Sequence, residues 1–402
     1  MEGETDGMTT VEIENDLREA LGRMLAERCG PARVAALADG AGDWDPDLWA
    51  GLAAMGVLGL TAPPEHGGEG MGFAVAVVAQ EELGRRLAPV PTVSSTAVQA
   101  ALLAVEPDEG RAETVSRWLP RLVSGEVVAA MATGRTADGW VVAEGVRATR
   151  SDHGWTLDGT VPVVADAVMA GLLLMAATTE EGPALFLVET GERLEIDRLD
   201  ALDPTRPLAA VRLRGRTAEL LAGPDRFAEV LRAAELAALV MLAADAVGVA
   251  AEMTDVAVAY AKTRRQFGRA IGSFQAVSHR CADMLVAVES ARALVAAAAE
   301  SLDGAAGNTE RDGDERNSEE RDGDERDIAV GLAAAQALEA AVTVTQGCLQ
   351  VHGGMGFTWE HPVHRYLRRA KAAEALIALP DRLRDRAASM LLAAARAALA
   401  AT

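Results

Sequence analysis

Apolar positions change their period twice along this chain, and the changes divide it into three parts. From Thr10 to about Ser124 they recur at intervals of three and four: Leu17, Leu21, Met24 and Leu25, then Leu48, Leu52 and Met55. That spacing places them on single faces of successive helices. Asp45 before Pro46 predicts an N-cap followed by proline at the first helical position. From about Val127 to Leu221 the apolar runs shorten to 141–143, 155–157, 171–175 and 184–188, separated by Asp-His-Gly and Asp-Gly turns. Short runs with such turns predict an antiparallel β domain of roughly a hundred residues. From Arg226 the helical period returns. Residues 226–262 hold one glycine and no proline, enough for a helix longer than about 40 Å at 1.5 Å per residue. Further helices are expected at 274–302, 328–351 and 381–400, the last started by Pro380. The expected class is α+β, mainly α, with units at 1–125, 126–222 and 223–402.

Charge modifies this picture in two places. Sixty acidic and 38 basic side chains give a net charge of −22. Residues 1–19 carry −6 and residues 303–327 carry −7, so the remaining 358 residues carry only −9. Within 303–327, Glu310-Arg-Asp-Gly-Asp-Glu-Arg316 recurs as Glu320-Arg-Asp-Gly-Asp-Glu-Arg326. A calcium loop needs more ligands at set spacing and a distal bidentate glutamate, so a solvated, disordered acidic loop is the expectation. The overall acidity argues against nucleic acid and against anionic lipid as partners. Three scattered cysteines without a CxxC pair fit a reducing cytoplasm and exclude a disulfide scaffold. The polar, acidic N-terminus does not read as a signal peptide, and runs such as 291–299 are too short to span a bilayer. His361 and His364 lack a nearby third ligand, so no metal is expected. The glycines of 63–70 follow no strand, which removes a dinucleotide fingerprint.

Two stretches carry candidate chemistry. In Tyr260-Ala-Lys-Thr-Arg-Arg-Gln-Phe-Gly-Arg-Ala-Ile-Gly-Ser-Phe-Gln275 a long helix ends at an arginine-rich turn before a second helix starts. Arg264 and Arg265 present planar forks suited to phosphate or carboxylate. Alone, the cluster reads first as a solvated complement to a helix C-terminus. In Gln350-Val-His-Gly-Gly-Met-Gly-Phe357 a helix ends in glycines that admit close backbone approach.

Together, in this order, these stretches resemble the acyl-CoA dehydrogenase family. So do Leu48-Trp-Ala-Gly-Leu-Ala-Ala-Met-Gly-Val-Leu-Gly-Leu60 with the following Pro-Glu-His-Gly-Gly loop, and Glu81-Glu-Leu-Gly-Arg-Arg-Leu-Ala-Pro-Val-Pro91. The resemblance covers nearly the whole chain. It implies an N-terminal helical domain, a middle antiparallel β domain and a C-terminal four-helix bundle. It also implies FAD, an acyl-CoA substrate, and α,β-dehydrogenation in which a base takes the α-proton and hydride passes from the β-carbon to flavin N5. Electrons would pass to an electron-transfer flavoprotein. Arg264, Phe267 and Gln275 would contact FAD bound mainly by a neighbouring subunit, and Gln350, Gly353 and Gly354 would line its ADP part. Such sharing implies an oligomer. Asp255 falls where the family places a CoA-side contact.

The sequence departs from the family at the base. In Arg369-Ala-Lys-Ala-Ala-Glu-Ala-Leu-Ile-Ala378 the usual glutamate position holds Ile377, and Glu374 reads as solvated or ion-paired. An alternative position on the long helix holds Ala238. A second alternative, of actinobacterial-type members, falls at Asp245, two turns on and on nearly the same helical face. Asp245 lies in an apolar run and needs a partner or a purpose; it is the expected base. The β domain's flavin motifs are reduced to Ala132-Thr-Gly-Arg135 and to Val161-Pro-Val-Val-Ala165 after Gly159-Thr160, without the covering aromatic. This pattern resembles one chain of the heteromeric α₂β₂ dehydrogenases of steroid side-chain degradation. The alternative expectation is a partner subunit that helps to hold FAD and performs no chemistry.

Overall fold

The computed structural model describes residues 9–105, 109–191, 194–306 and 315–400. The first residues of the acidic N-terminus and most of the first repeat copy lie outside the described residues.

Six helices form the N-terminal part: α1 (Thr10–Arg28), α2 (Pro31–Ala36), α3 (Pro46–Ala54), α4 (Gly72–Arg85), α5 (Thr92–Leu103) and α6 (Glu109–Val123). Local chemistry sets their starts. Thr9 and Glu12 form a reciprocal capping box on α1. Asp45 Oδ1 accepts from the Leu48 amide at 3.1 Å, as its place before Pro46 predicted.

Nine strands follow: β1 (Ala129–Ala132), β2 (Gly134–Thr136), β3 (Gly139–Val141), β4 (Arg147–Ser151), β5 (Gly154–Ala165), β6 (Leu172–Thr178), β7 (Pro183–Glu189), β8 (Glu195–Leu199) and β9 (Leu208–Ala222). The main sheet runs β1-β6-β4-β5-β9-β7, with β8 on β9, and a β6–β7 pairing closes it into a barrel. Most pairs are antiparallel, but β6 runs parallel to β1 and to the start of β4. Leu173, Met175, Phe186 and Val188 fill the barrel, while Leu172, Leu174, Leu185 and Leu187 pack against the helices. Burial on both faces explains why β6 and β7 read as unbroken apolar runs.

The last part holds α7 (Phe227–Thr263), a hairpin of β10 (Arg265–Gln266) and β11 (Arg269–Ala270), then α8 (Gln275–Ala306), α9 (Glu315–His352), α10 (Val363–Ala373) and α11 (Pro380–Ala400). α7 is apolar on almost every face because it is the central helix; its most apolar window is 89% buried. α9 also has the length and hydropathy to cross a membrane, but its window too is mostly buried within the protein.

The expected acidic loop at 303–327 is corrected at its two ends, while 307–314 lie outside the described residues. α8 extends to Ala306 and α9 begins at Glu315. Asp303 caps a different helix: its carboxylate accepts from the Phe73 amide at 2.6 Å and the Ala74 amide at 2.9 Å, at the start of α4. Asp327 pairs with Arg232 Nε at 2.8 Å. Acidic residues at a helix N-terminus suit its dipole, and an already buried α9 propagates outward at little nucleation cost.

α4 and α7 cross at two glycines. A Cβ on Gly84 would lie 2.3 Å from the Asp245 carbonyl oxygen, and one on Gly248 would lie 2.0 Å from that of Glu81. Only glycine permits this approach.

Candidate functional site

A narrow, partly open cavity lies where the three parts meet. α5 contributes Val93 and Ser94, the barrel edge contributes Met131, Thr133, Val163 and Ala165, and the β2–β3 hairpin contributes Arg135 and Trp140. α7 supplies Ala238, and the turn after α10 supplies Leu376 and Ile377. Arg135 Nη1 donates to the carbonyls of Ala375 and Leu376 at 2.7 and 2.9 Å, tying the hairpin to that turn. Burial lowers the Arg135 pKa, and among the described residues no carboxylate pairs with it. The cavity is otherwise mainly apolar, as a site for an acyl group must be.

Both expected base positions, Ala238 and Ile377, line this one cavity. Neither side chain can accept a proton. Glu374 pairs with Lys371 at 2.8 Å, as an ion-paired residue.

Asp245 does not line this cavity, and its surroundings speak against the expectation that it is the base. Its carboxylate, fully buried, receives Arg369 Nε at 3.1 Å and Nη2 at 3.0 Å, Gln80 Nε2 at 3.2 Å, and lies 3.0 Å from Arg206 Nη2. Burial alone would raise its pKa. The charges of Arg206 and Arg369, with hydrogen bonds from Arg369 and Gln80, outweigh that and hold it below the ordinary aspartate value. A carboxylate so held has little basicity to offer. One helical face does carry residues 238 and 245, but two turns of α7 separate the cavity wall from the ion cluster.

The cluster continues toward the cavity. Arg369 Nη1 donates to Thr205 Oγ1 at 2.8 Å and reaches Asp203 at 3.3 Å. Asp166 lies beyond, with φ of +62°. A non-glycine residue in that region costs about 1–3 kcal/mol, offset here by its amide bond to the Pro207 carbonyl and by Ser94 Oγ, which donates to its carboxylate at 2.5 Å. Burial pushes the Asp166 pKa up, against the opposing effects of Ser94, Arg206 and Arg369.

The second candidate region lies at one end of the helical bundle. There α7 ends, α8 begins and α9 ends, and the Tyr260 ring stacks on His352 at 4.2 Å to join the two sequence motifs. Arg264, Gln275 and Gln350 are exposed. Phe267 (φ +50°) and Gly268 (φ +81°) form the tight turn of the β10–β11 hairpin, and Phe267 stands 91% exposed. Gly353 has φ of +59°, and a Cβ on it or on Gly354 would meet nothing within 4 Å. Met355, Phe357 and Trp359 are exposed beside them in sequence. His361 and His364 pack on rings, against His352 and Trp359. Asp255 is exposed, paired with Arg85 at 3.0 Å, and lines neither the cavity nor the glycine turn.

The structure thus brings Arg264, Phe267 and Gln275 to the same end as Gln350, Gly353 and Gly354, and separates Asp245 from them. Sequence reasoning missed Ser94, Asp166, Arg206 and the site role of Arg135. Asp166 had one available signal: an acid ending the apolar run Val161–Ala165 where a strand should turn into a polar loop.

Comparison with known proteins agrees with this architecture. Residues 12–126 match the family model for the acyl-CoA dehydrogenase N-terminal domain, and residues 238–376 match that for the C-terminal domain. The chain is 31% identical to the acyl-CoA dehydrogenase IpdE2 of Mycobacterium tuberculosis, over 93% of this chain and 95% of the relative. Among solved structures it is similar to the ChsE4-ChsE5 complex of the same organism, with a TM-score of 0.76 and 30% identity over 98% of this chain and 99% of that one. It is also similar to a variant of the Tcur3481-Tcur3483 steroid acyl-CoA dehydrogenase, with a TM-score of 0.79 and 28% identity over 96% of this chain and all of that one. With both domain models matched and this fold, the chain belongs to the acyl-CoA dehydrogenase family of oxidoreductases.

Proposed function

We propose that this chain is one subunit of an FAD-dependent, heteromeric acyl-CoA dehydrogenase, in which a related chain supplies the catalytic base. The observation that carries this reading is the cavity wall: Ala238 and Ile377 stand at both base positions, while Asp245 is sealed in ion pairs. Two named structural relatives, ChsE4-ChsE5 and Tcur3481-Tcur3483, carry two protein names each, and the second is called a steroid enzyme. They support a two-chain assembly and CoA thioesters of steroid-derived or fatty acyl groups. We place the enzyme in the cytoplasm.

The residues at the bundle end fit FAD. Arg264 offers a guanidinium fork without a carboxylate partner among the described residues, suited to a pyrophosphate. Gly353 and Gly354 leave backbone open to an approaching nucleotide. Gln275 and Gln350 add amide donors and acceptors, and Phe267 projects far enough to touch a neighbouring subunit. The four side chains are exposed and both glycines have open space beside them, as residues completing a neighbour's site would. The chemistry that FAD supplies when bound is acceptance of hydride from the β-carbon of a thioester, with electrons passed on to an electron-transfer flavoprotein. The apolar cavity lining excludes water from the acyl group.

Expression of the chain alone and together with a related dehydrogenase chain tests the reading. Flavin absorbance should be full only in the co-expressed complex, and acyl-CoA should bleach it there. A yellow homotetramer of this chain alone, bleached by acyl-CoA, would overturn the proposal.

A further inference from the structure

In the cavity wall, the Ser94 hydroxyl is hydrogen-bonded to a buried carboxylate. Ser94, on α5, lines the cavity, and its Oγ donates to Asp166 Oδ2 at 2.5 Å. Both residues are more than nine-tenths buried, at 9% and 7% exposure. When Asp166 is ionised, the Ser94 hydrogen is committed to it and Ser94 Oγ has only lone pairs left to present. A ligand atom that meets it must bring a hydrogen.

The surroundings narrow the choice further. Val93, Met131, Val163, Ala165 and Ala238 give most of the wall no hydrogen-bonding side chain; beside Ser94 the polar groups are Thr133, Trp140 and Arg135, whose Nη1 already serves the Ala375 and Leu376 carbonyls. Arg135 in the same cavity disfavours a cationic group. A ketone or ester oxygen brings no hydrogen to Ser94. A neutral hydroxyl satisfies all three conditions.

We propose that the Ser94–Asp166 pair is a specificity element that selects acyl groups bearing a hydroxyl, whose hydrogen Ser94 Oγ accepts. The proposal rests on the reading of this cavity as the acyl site. Ser94 is the contacting residue, and Asp166 is a positioning residue that holds the Ser94 hydrogen away from the ligand. A site built to pair a substrate hydroxyl discriminates strongly against the analogue that lacks it, because the protein group is then left buried and unpaired.

Isothermal titration of the co-expressed complex with ω-hydroxyacyl-CoA, ω-oxoacyl-CoA and unsubstituted acyl-CoA, from four to twelve carbons, tests this without turnover. At one chain length the hydroxyl thioester should bind about tenfold or more tightly than its unsubstituted counterpart, and the oxo thioester should show no advantage. Ser94→Ala should bring the hydroxyl advantage to about one while leaving the unsubstituted affinity in place, and Ser94→Thr should keep it. Asp166→Asn, which can donate as well as accept, should admit the oxo thioester. No hydroxyl preference at any length, or a preference that survives Ser94→Ala, overturns this inference alone. Failure of every thioester to bind overturns the acyl-site reading as well.

Discussion

Removing the Asp245 carboxylate would strand two guanidinium groups in a space that excludes water. Asp245→Ala is expected to cost about 3–5 kcal/mol of folding stability in denaturant titrations, the usual cost of breaking a buried pair. A loss of activity with unchanged stability would instead return Asp245 to catalysis. Asp166 carries the opposite sign of pH dependence. Its pKa is raised in the fold, so stability from its protonated form is present at low pH and lost as pH rises through the folded value. Asp166→Asn abolishes that loss. The melting temperature of the variant relative to the parent should therefore climb as pH is raised from 4 to 8; a flat difference would show no shift. At this scale the sequence was half legible. A lone acid in the run 241–249 announced that Asp245 needed a partner, but Arg369 lies 124 residues away and Arg206 sits in a loop before β9. Nothing in local spacing could join them, so the need for a partner was read as a need for chemistry.

Among the elements, α9 shows where composition misleads. The repeated Asp-Gly-Asp and the net −7 of 303–327 read as loop because isolated charged segments do not fold. From Glu315 onward the segment is not isolated: it extends a helix whose remainder is buried, and Arg326 Nε bonds the Asp322 carbonyl one turn back. Gly323 sits inside that helix, where a Cβ would make only an ordinary 4.0 Å contact with Arg326 Nη2. Gly323→Ala should raise stability by about 0.5–1 kcal/mol in denaturant titrations, the helix propensity difference; no gain would mean that this end of α9 does not persist. By contrast the caps and long periods were fully legible. Asp45-Pro46 started α3, and the glycine-poor stretch from 226 gave α7, because both signals are local.

At the scale of the whole molecule, one end of the bundle carries an exposed apolar face. Phe267, Phe357 and Trp359 stand 91%, 73% and 62% exposed at one end of the bundle, more apolar exposure than an isolated surface tolerates cheaply. Trp359→Ser or Phe267→Ser should leave the thermal unfolding of the single chain unchanged. Each should shift the co-expressed complex toward smaller species in analytical ultracentrifugation and lower its flavin content. Equal flavin content in both variants would remove this face from the shared site. The order of helices, barrel and bundle was readable from period changes alone, whereas the closing of the sheet through β6 was not, since strand order leaves no local trace.

The crossing of α4 and α7 has a mechanical consequence. Side-chain interfaces can slide, because rotamers re-settle in new grooves. Backbone seated on backbone at Gly84 and Gly248 has no such freedom. The first part of the chain and the central bundle helix are pinned as a single spine, so the cavity cannot open like a clamshell between them. The β2–β3 hairpin that roofs the cavity is moored to that spine as well, by the Trp140 amide on Glu235 of α7, and to the turn after α10 by Arg135 and by the Leu379 amide on the Ala137 carbonyl, so the wall is braced from two sides.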